Sequence, residues 1–170
     1  MLSMKKNICK IIGLLLLLPL FSECNDTDDL SEIFVRKWKL TYITKVNSHG
    51  WYTFPGIDDS NYKEYRDGNK SFTLTLSGNE ADNVIQGTFI GAGSVITSGK
   101  WNANGKSQQF GMHDVEGSPT DGKDKIANKI LEGLKLVNSY KGSDSNNLFL
   151  HYEEPTSKEE LCLVFAPSRN

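Results

Sequence analysis

Between residues 71 and 112 the chain is cut by glycine-bearing turns into apolar alternations too short for helices, and that spacing confines it to antiparallel β structure. Phe72, Leu74 and Leu76 alternate with Ser71, Thr73 and Thr75, the period of two that places one strand face in a core and the other in water. Residues 84–90, 94–101 and 106–112 follow as further strands. They are joined by Gly91-Ala92-Gly93 and Asn102-Ala103-Asn104-Gly105, both suited to hairpin connections. Short strands at such regular spacing imply a sheet that curls into a barrel or packs into a sandwich.

The flanking segments extend the pattern. Over residues 34–46 the even positions Phe34, Trp38, Leu40 and Tyr42 alternate with Lys37, Lys39 and Thr41, which predicts an opening strand with Trp38 in the core. Near the other end, Ile126, Ala127, Ile130, Leu131 and Leu134 fall on one helical face, with Thr120 or Asp121 as N-cap and Asp124 in the acidic first turn. Residues 135–140, 147–152 and 160–166 read as closing strands. The expected fold is therefore mainly β (α+β): a small antiparallel meander sheet or barrel of about eight strands, with one helix inserted before the last three.

Residues 47–70 break the alternation with Gly50, Pro55, Gly56 and an Asp67-Gly68-Asn69 turn. The same stretch holds Trp51, Tyr52, Phe54, Tyr62 and Tyr65, more rings than a solvent loop requires. They either pack over a barrel end or form a contact surface for a partner; packing is the expected role, and the loop is the candidate binding element.

The N-terminus carries a different message. Lys5, Lys6 and Lys10 precede an apolar run from residue 11 to residue 21, about the length of a secretory signal and too short to span a bilayer. Cys24 stands at the expected cleavage point, with Glu23 before it and Asn25, Asp26, Thr27, Asp28 and Asp29 after it. The junction resembles a bacterial lipoprotein signal, in which the cysteine thiol takes a diacylglycerol. The acidic run is similar to the surface-export signal of Bacteroidetes-type lipoproteins. On this reading residues 1–23 are a signal peptide, residues 24–32 a lipidated cysteine and acidic tether with order beginning near Ile33, and residues 33–170 one domain. It is anchored to the outer membrane by lipid and faces the cell exterior, the periplasmic face being the alternative.

Removing residues 1–23 takes away three lysines and one glutamate, so 19 basic and 21 acidic residues become 16 and 20. A surface near −4 does not attract nucleic acid, and its small basic groups are interleaved with acids. Of three cysteines, Cys9 leaves with the leader and Cys24 carries lipid. Cys162 then stays alone, which rules out a disulfide framework despite an oxidising compartment. Its apolar neighbours Leu161, Leu163 and Val164 make it a strand residue rather than a reactive thiol.

The order of elements resembles the META-domain family: Trp38, Lys39 and Leu40 opening the domain, Phe72 to Leu76, Gly87, Gly99 with Trp101, Phe110-Gly111-Met112, Ile130 with Leu134, Tyr140, Leu148 with Leu150, and Leu163 with Phe165. That resemblance implies a small β-rich envelope protein without catalysis. The chain departs from the family where a Cys-Asn pair is usual, having Gly91, Ala92, Gly93 and Ser94 instead.

No residue pattern adds chemistry. His49, His113 and His151 are far apart in sequence, without the short spacings of metal ligands. There is no Gly-x-Ser-x-Gly elbow, and Gly105-Lys106-Ser107 lacks the upstream glycine and following helix of a phosphate loop. Asp58-Asp59, Glu153-Glu154 and Glu159-Glu160 read as solvated turn residues rather than a glycosidase pair; Asp58, Asp59 and Asn61 could at most hold calcium weakly. The expectation is a non-catalytic binding or interaction domain, without metal or cofactor, that meets the membrane through its lipid and an unknown protein, glycan or small ligand. The alternatives are a lipocalin-like carrier of a small apolar ligand and, less favoured, an extracellular glycan-active enzyme.

Overall fold

The computed structural model describes residues 29–168; the leader, Cys24 and most of the acidic run lie outside them. Seven strands, β1 (Lys37–Lys45), β2 (Phe72–Ala81), β3 (Val84–Gly93), β4 (Val95–Asn104), β5 (Gln109–Pro119), β6 (Leu148–Glu153) and β7 (Glu160–Pro167), form one curled antiparallel sheet. Their spatial order is β5-β4-β3-β2-β1-β7-β6. Among the described residues three helices accompany it: α1 (Leu30–Phe34), α2 (Asp59–Arg66) and α3 (Lys125–Leu136). The fold is mainly β, with a helix before the final strands, as the alternation predicts.

The curl leaves β5 and β6 as the two edges, and the chain closes part of the gap between them. Residues 135–140, expected as a strand, do not form one, because α3 runs on to Leu136. What survives is Ser139, bridged to Gln109 on one side and His151 on the other. Phe110 N–H donates to Asn138 O at 3.0 Å, and Asn138 N–H to His151 O at 2.9 Å. Above this bridge the apolar face of α3, with Ile126, Ile130 and Leu134 fully buried, packs along β5. Its N-cap is Asp124, whose carboxylate accepts from Ala127 N–H at 3.0 Å, rather than Thr120 or Asp121. Asp121 serves the preceding turn instead, accepting from Lys123 N–H.

Order begins earlier than Ile33. Asp29 caps α1 by accepting from Glu32 N–H, and Leu30 is wholly buried. Phe34 ends this helix instead of opening β1, and its ring is wholly buried in the core, 5.2 Å from Trp101, 5.4 Å from Phe110 and 4.9 Å from Tyr140. Trp38 and Leu40 point inward as the alternation requires. A register shift between Leu40 and Tyr42 then inserts an extra residue, so Ile43 takes the next inward place and Tyr42 turns to the outer face.

One glycine pair makes room for the Trp101 indole. Gly78 and Gly87 face each other across β2 and β3, and a Cβ on Gly87 would stand 1.8 Å from the Ser77 carbonyl oxygen. The Trp101 indole lies against this bare backbone and donates from Nε1 to Ser77 O and Thr88 O, both at 3.1 Å. Trp38, Phe72, Phe89, Trp101 and Phe110 are all buried inside the curl.

Candidate functional site

The aromatic loop divides into an inner and an outer part. Phe54 is 1% exposed and Tyr62 3% exposed, and Phe54 N–H donates to the Tyr62 hydroxyl oxygen at 2.7 Å. Trp51 sits edge-on to Tyr62 and Tyr65, at 5.9 and 5.6 Å between centroids, and Tyr52 meets Phe54 at 4.8 Å. Trp51, Tyr52 and Tyr65 keep part of their surface in solvent. Tyr65 is tied down: its hydroxyl donates to Asp124 Oδ2 at 3.0 Å. Burial, followed by the negative charge of Asp124, pushes that hydroxyl above the ordinary tyrosine range despite a nearby serine hydroxyl. The loop therefore packs against the core through Phe54 and Tyr62 and leaves Trp51 and Tyr52 as its accessible rings.

Beside those rings lies a feature that the sequence does not announce. On the outer face, Tyr42 is directly opposite Val164, and Val164 directly opposite Phe149, so three side chains stand in one row across β1, β7 and β6. Thr44, Cys162 and His151 form the next row. A small-residue floor on β7 between larger walls makes a trench of about 640 Å³, rimmed by His49 on one bank and Lys141 on the other. A smaller recess of about 380 Å³, sharing Ser48 and His49 with it, reaches Trp51 and Tyr52. His151 is 8% exposed. Its Nε2 lies 3.1 Å from the Lys141 carbonyl, which can only accept, so Nε2 carries the proton. Nδ1 has no hydrogen-bond partner and is 3.7 Å from Glu160 Oε1. Cys162 is sealed into the floor, where burial pushes its thiol up to about 12, a setting for an inert cysteine. Another outer recess, over β3 to β5, is lined by Trp101, Lys100 and His113, the last exposed and held 2.6 Å from Asn102 Oδ1.

A family model described as a domain of unknown function, DUF4847, matches residues 25–167. The chain belongs to the DUF4847 family. No curated protein matches it. Among solved structures, the NMR structure of a protein from Burkholderia xenovorans is similar, with a TM-score of 0.41 and 11% identity over 83% of this chain and 88% of that one.

In the DUF4847 domain Asp58, Asp59, Glu153 and Glu160 are exposed, in line with the solvated-turn reading, and Glu154 departs from it. Glu154 is 4% exposed, accepting from Thr156 and Ser157 N–H at 2.8 and 2.6 Å and from Lys129 at 3.0 Å. Burial alone would raise its carboxyl; the Ser157 N–H, the Lys129 ammonium and the Thr156 N–H outweigh that and hold it at about 2. Lys129 also caps the Phe54 ring at 5.2 Å, so this cluster fastens the aromatic loop to α3 and the 153–160 turn. Asp59 is taken by Arg66 through both oxygens, which leaves the Asp58 to Asn61 segment poorly furnished for calcium. Among the described residues no group of three or more His, Cys, Asp or Glu is arranged to hold a metal, and no helix is long and apolar enough to cross a membrane. Sequence reasoning missed Tyr42, Phe149 and His151 as trench residues. The available signal was their outward strand phase, which for Tyr42 the bulge concealed.

Proposed function

We propose that this DUF4847 chain is a lipid-anchored envelope protein whose domain is a non-catalytic binding module, working through the outer face formed by the trench and the Trp51–Tyr52 recess. The observation that carries the reading is the contrast between an interior occupied by Trp38, Phe72, Phe89, Trp101 and Phe110 and a walled, accessible trench outside. Small barrels filled by their own rings have little room for a guest, whereas concave sites with a few polar groups on apolar walls take ligands. The anchor rests on Cys24 and its leader, and the family match that begins at residue 25 is in keeping with a domain starting just after that cysteine. A distant relation to the META domains belongs to the same reading, through the Trp38-Lys39-Leu40 opening and the helix before the last strands.

One observation favours the carrier alternative. Trp38 Nε1 and the Tyr152 hydroxyl are buried without a hydrogen-bond partner, and a guest inside the curl could satisfy them.

Fractionation of producing cells tests the anchored reading. The wild-type chain is expected in the membrane fraction and to be digested by protease added to intact cells, while Cys24→Ser releases it. A wild-type chain that stays soluble inside the cell contradicts the proposal.

A further inference from the structure

The trench has a chemistry more specific than a general contact surface. Its walls carry aromatic rings: Tyr42 and Phe149 lie two strand spacings apart, roughly 10 Å, across the buried floor of Val164 and Cys162. Its rim is polar and nearly uncharged. Among the described residues, Ser48, His49 and Asn147 surround it with Lys141 as the one cation, and no carboxylate lines it.

Three ligand classes fit poorly. A polyphosphate or nucleotide needs several cations, and one lysine is present. A purely apolar ligand would desolvate the rim groups without replacing their hydrogen bonds. An extended peptide added as a strand needs an open edge, but the floor strand β7 is interior, and the edge strand β6 is already bridged at His151 by Ser139.

A sugar chain answers the remaining description, because its C–H faces lie on aromatic rings while its hydroxyls exchange hydrogen bonds with rim groups. We propose that the trench over β7 is a binding subsite for a neutral oligosaccharide, with Tyr42 and Phe149 as the stacking walls and His49, Asn147 and Lys141 as hydroxyl partners. This rests on the binding-module reading and gives that module its ligand class. His151 is a positioning residue here: it bonds the Lys141 carbonyl and so sets the height of the rim on that bank.

The test is titration of the full chain with maltohexaose, xylohexaose, mannohexaose and chitohexaose, read by NMR. At least one is expected to shift the Tyr42, Phe149 and Val164 signals saturably. Tyr42→Ala should then weaken binding about tenfold, the loss of roughly one good contact. Lys141→Glu, which leaves the sheet packing alone, should weaken it while the melting temperature holds. If none of the four moves the trench signals, the assignment is overturned. A sugar that shifts Trp51 and Tyr52 alone overturns the trench assignment but leaves the binding-module reading standing; an apolar molecule bound one-to-one inside the curl overturns both.

Discussion

The Lys129 ammonium lies 3.0 Å from a Glu154 carboxylate whose side chain is 5% exposed, and this pair locks the 153–160 turn to α3. The Glu154 carboxyl has a folded value of about 2 against an ordinary 4.5. Its contribution is therefore fully present above pH 4.5 and is lost as pH falls toward 2. Allowing for screening at the turn, the contribution is about 2 kcal/mol. In urea unfolding, Glu154→Gln should lower stability by that amount at pH 7, and the gap from wild type should close as pH drops below 4.5. A gap that does not change with pH contradicts the charge-based account.

Gly87→Ala should be among the most damaging single changes. The new methyl would enter the Ser77 carbonyl, the same oxygen that accepts from Trp101 Nε1, so β2 and β3 must separate. A loss of about 3 kcal/mol is expected, with a change in the near-ultraviolet circular dichroism of the buried indole. An unchanged melting temperature would show that the sheet absorbs the methyl.

Asp124 has three tasks: it caps α3 and accepts from both Tyr65 and Lys70 at the same oxygen. Asp124→Ala should cost about 2–3 kcal/mol by removing the cap and stranding the Tyr65 hydroxyl. Asp124→Asn keeps a capping oxygen and should cost about half as much in the same denaturation experiment. Equal losses would mean that the charge, rather than the cap, dominates.

Within the aromatic loop the two classes of ring should separate cleanly. Tyr62→Ala removes a side chain 3% exposed and should cost about 3 kcal/mol, and Tyr62→Phe about 1 kcal/mol through the lost Phe54 N–H bond. Trp51→Ala should cost less than Tyr62→Ala, since its ring is partly in water. Thermal melts of the three variants check the order.

The meander was legible because Phe72, Leu74 and Leu76 contrast sharply with their neighbours and the turns between strands carry glycine or asparagine. Helix α3 was legible for the same reason at the helical period. Its start was not, since Thr120, Asp121 and Asp124 are all good caps and the choice depends on how the chain leaves β5. Helix α2 escaped notice because Tyr62 is its one buried residue, too little for an apolar stripe. The trench was hidden by topology: Tyr42, Phe149 and Val164 meet only once β1, β7 and β6 lie side by side, and the bulge after Leu40 reverses the face on which Tyr42 is expected.

On the proposed reading this domain binds on its outer face, around an interior filled by its own rings. Native mass spectrometry of the full chain recovered undenatured from producing cells tests it most directly. The expected mass is that of the lipidated, processed chain with no stoichiometric apolar adduct. A one-to-one complex with a small apolar molecule, lost on mutating Trp38, would contradict it and make the protein a carrier.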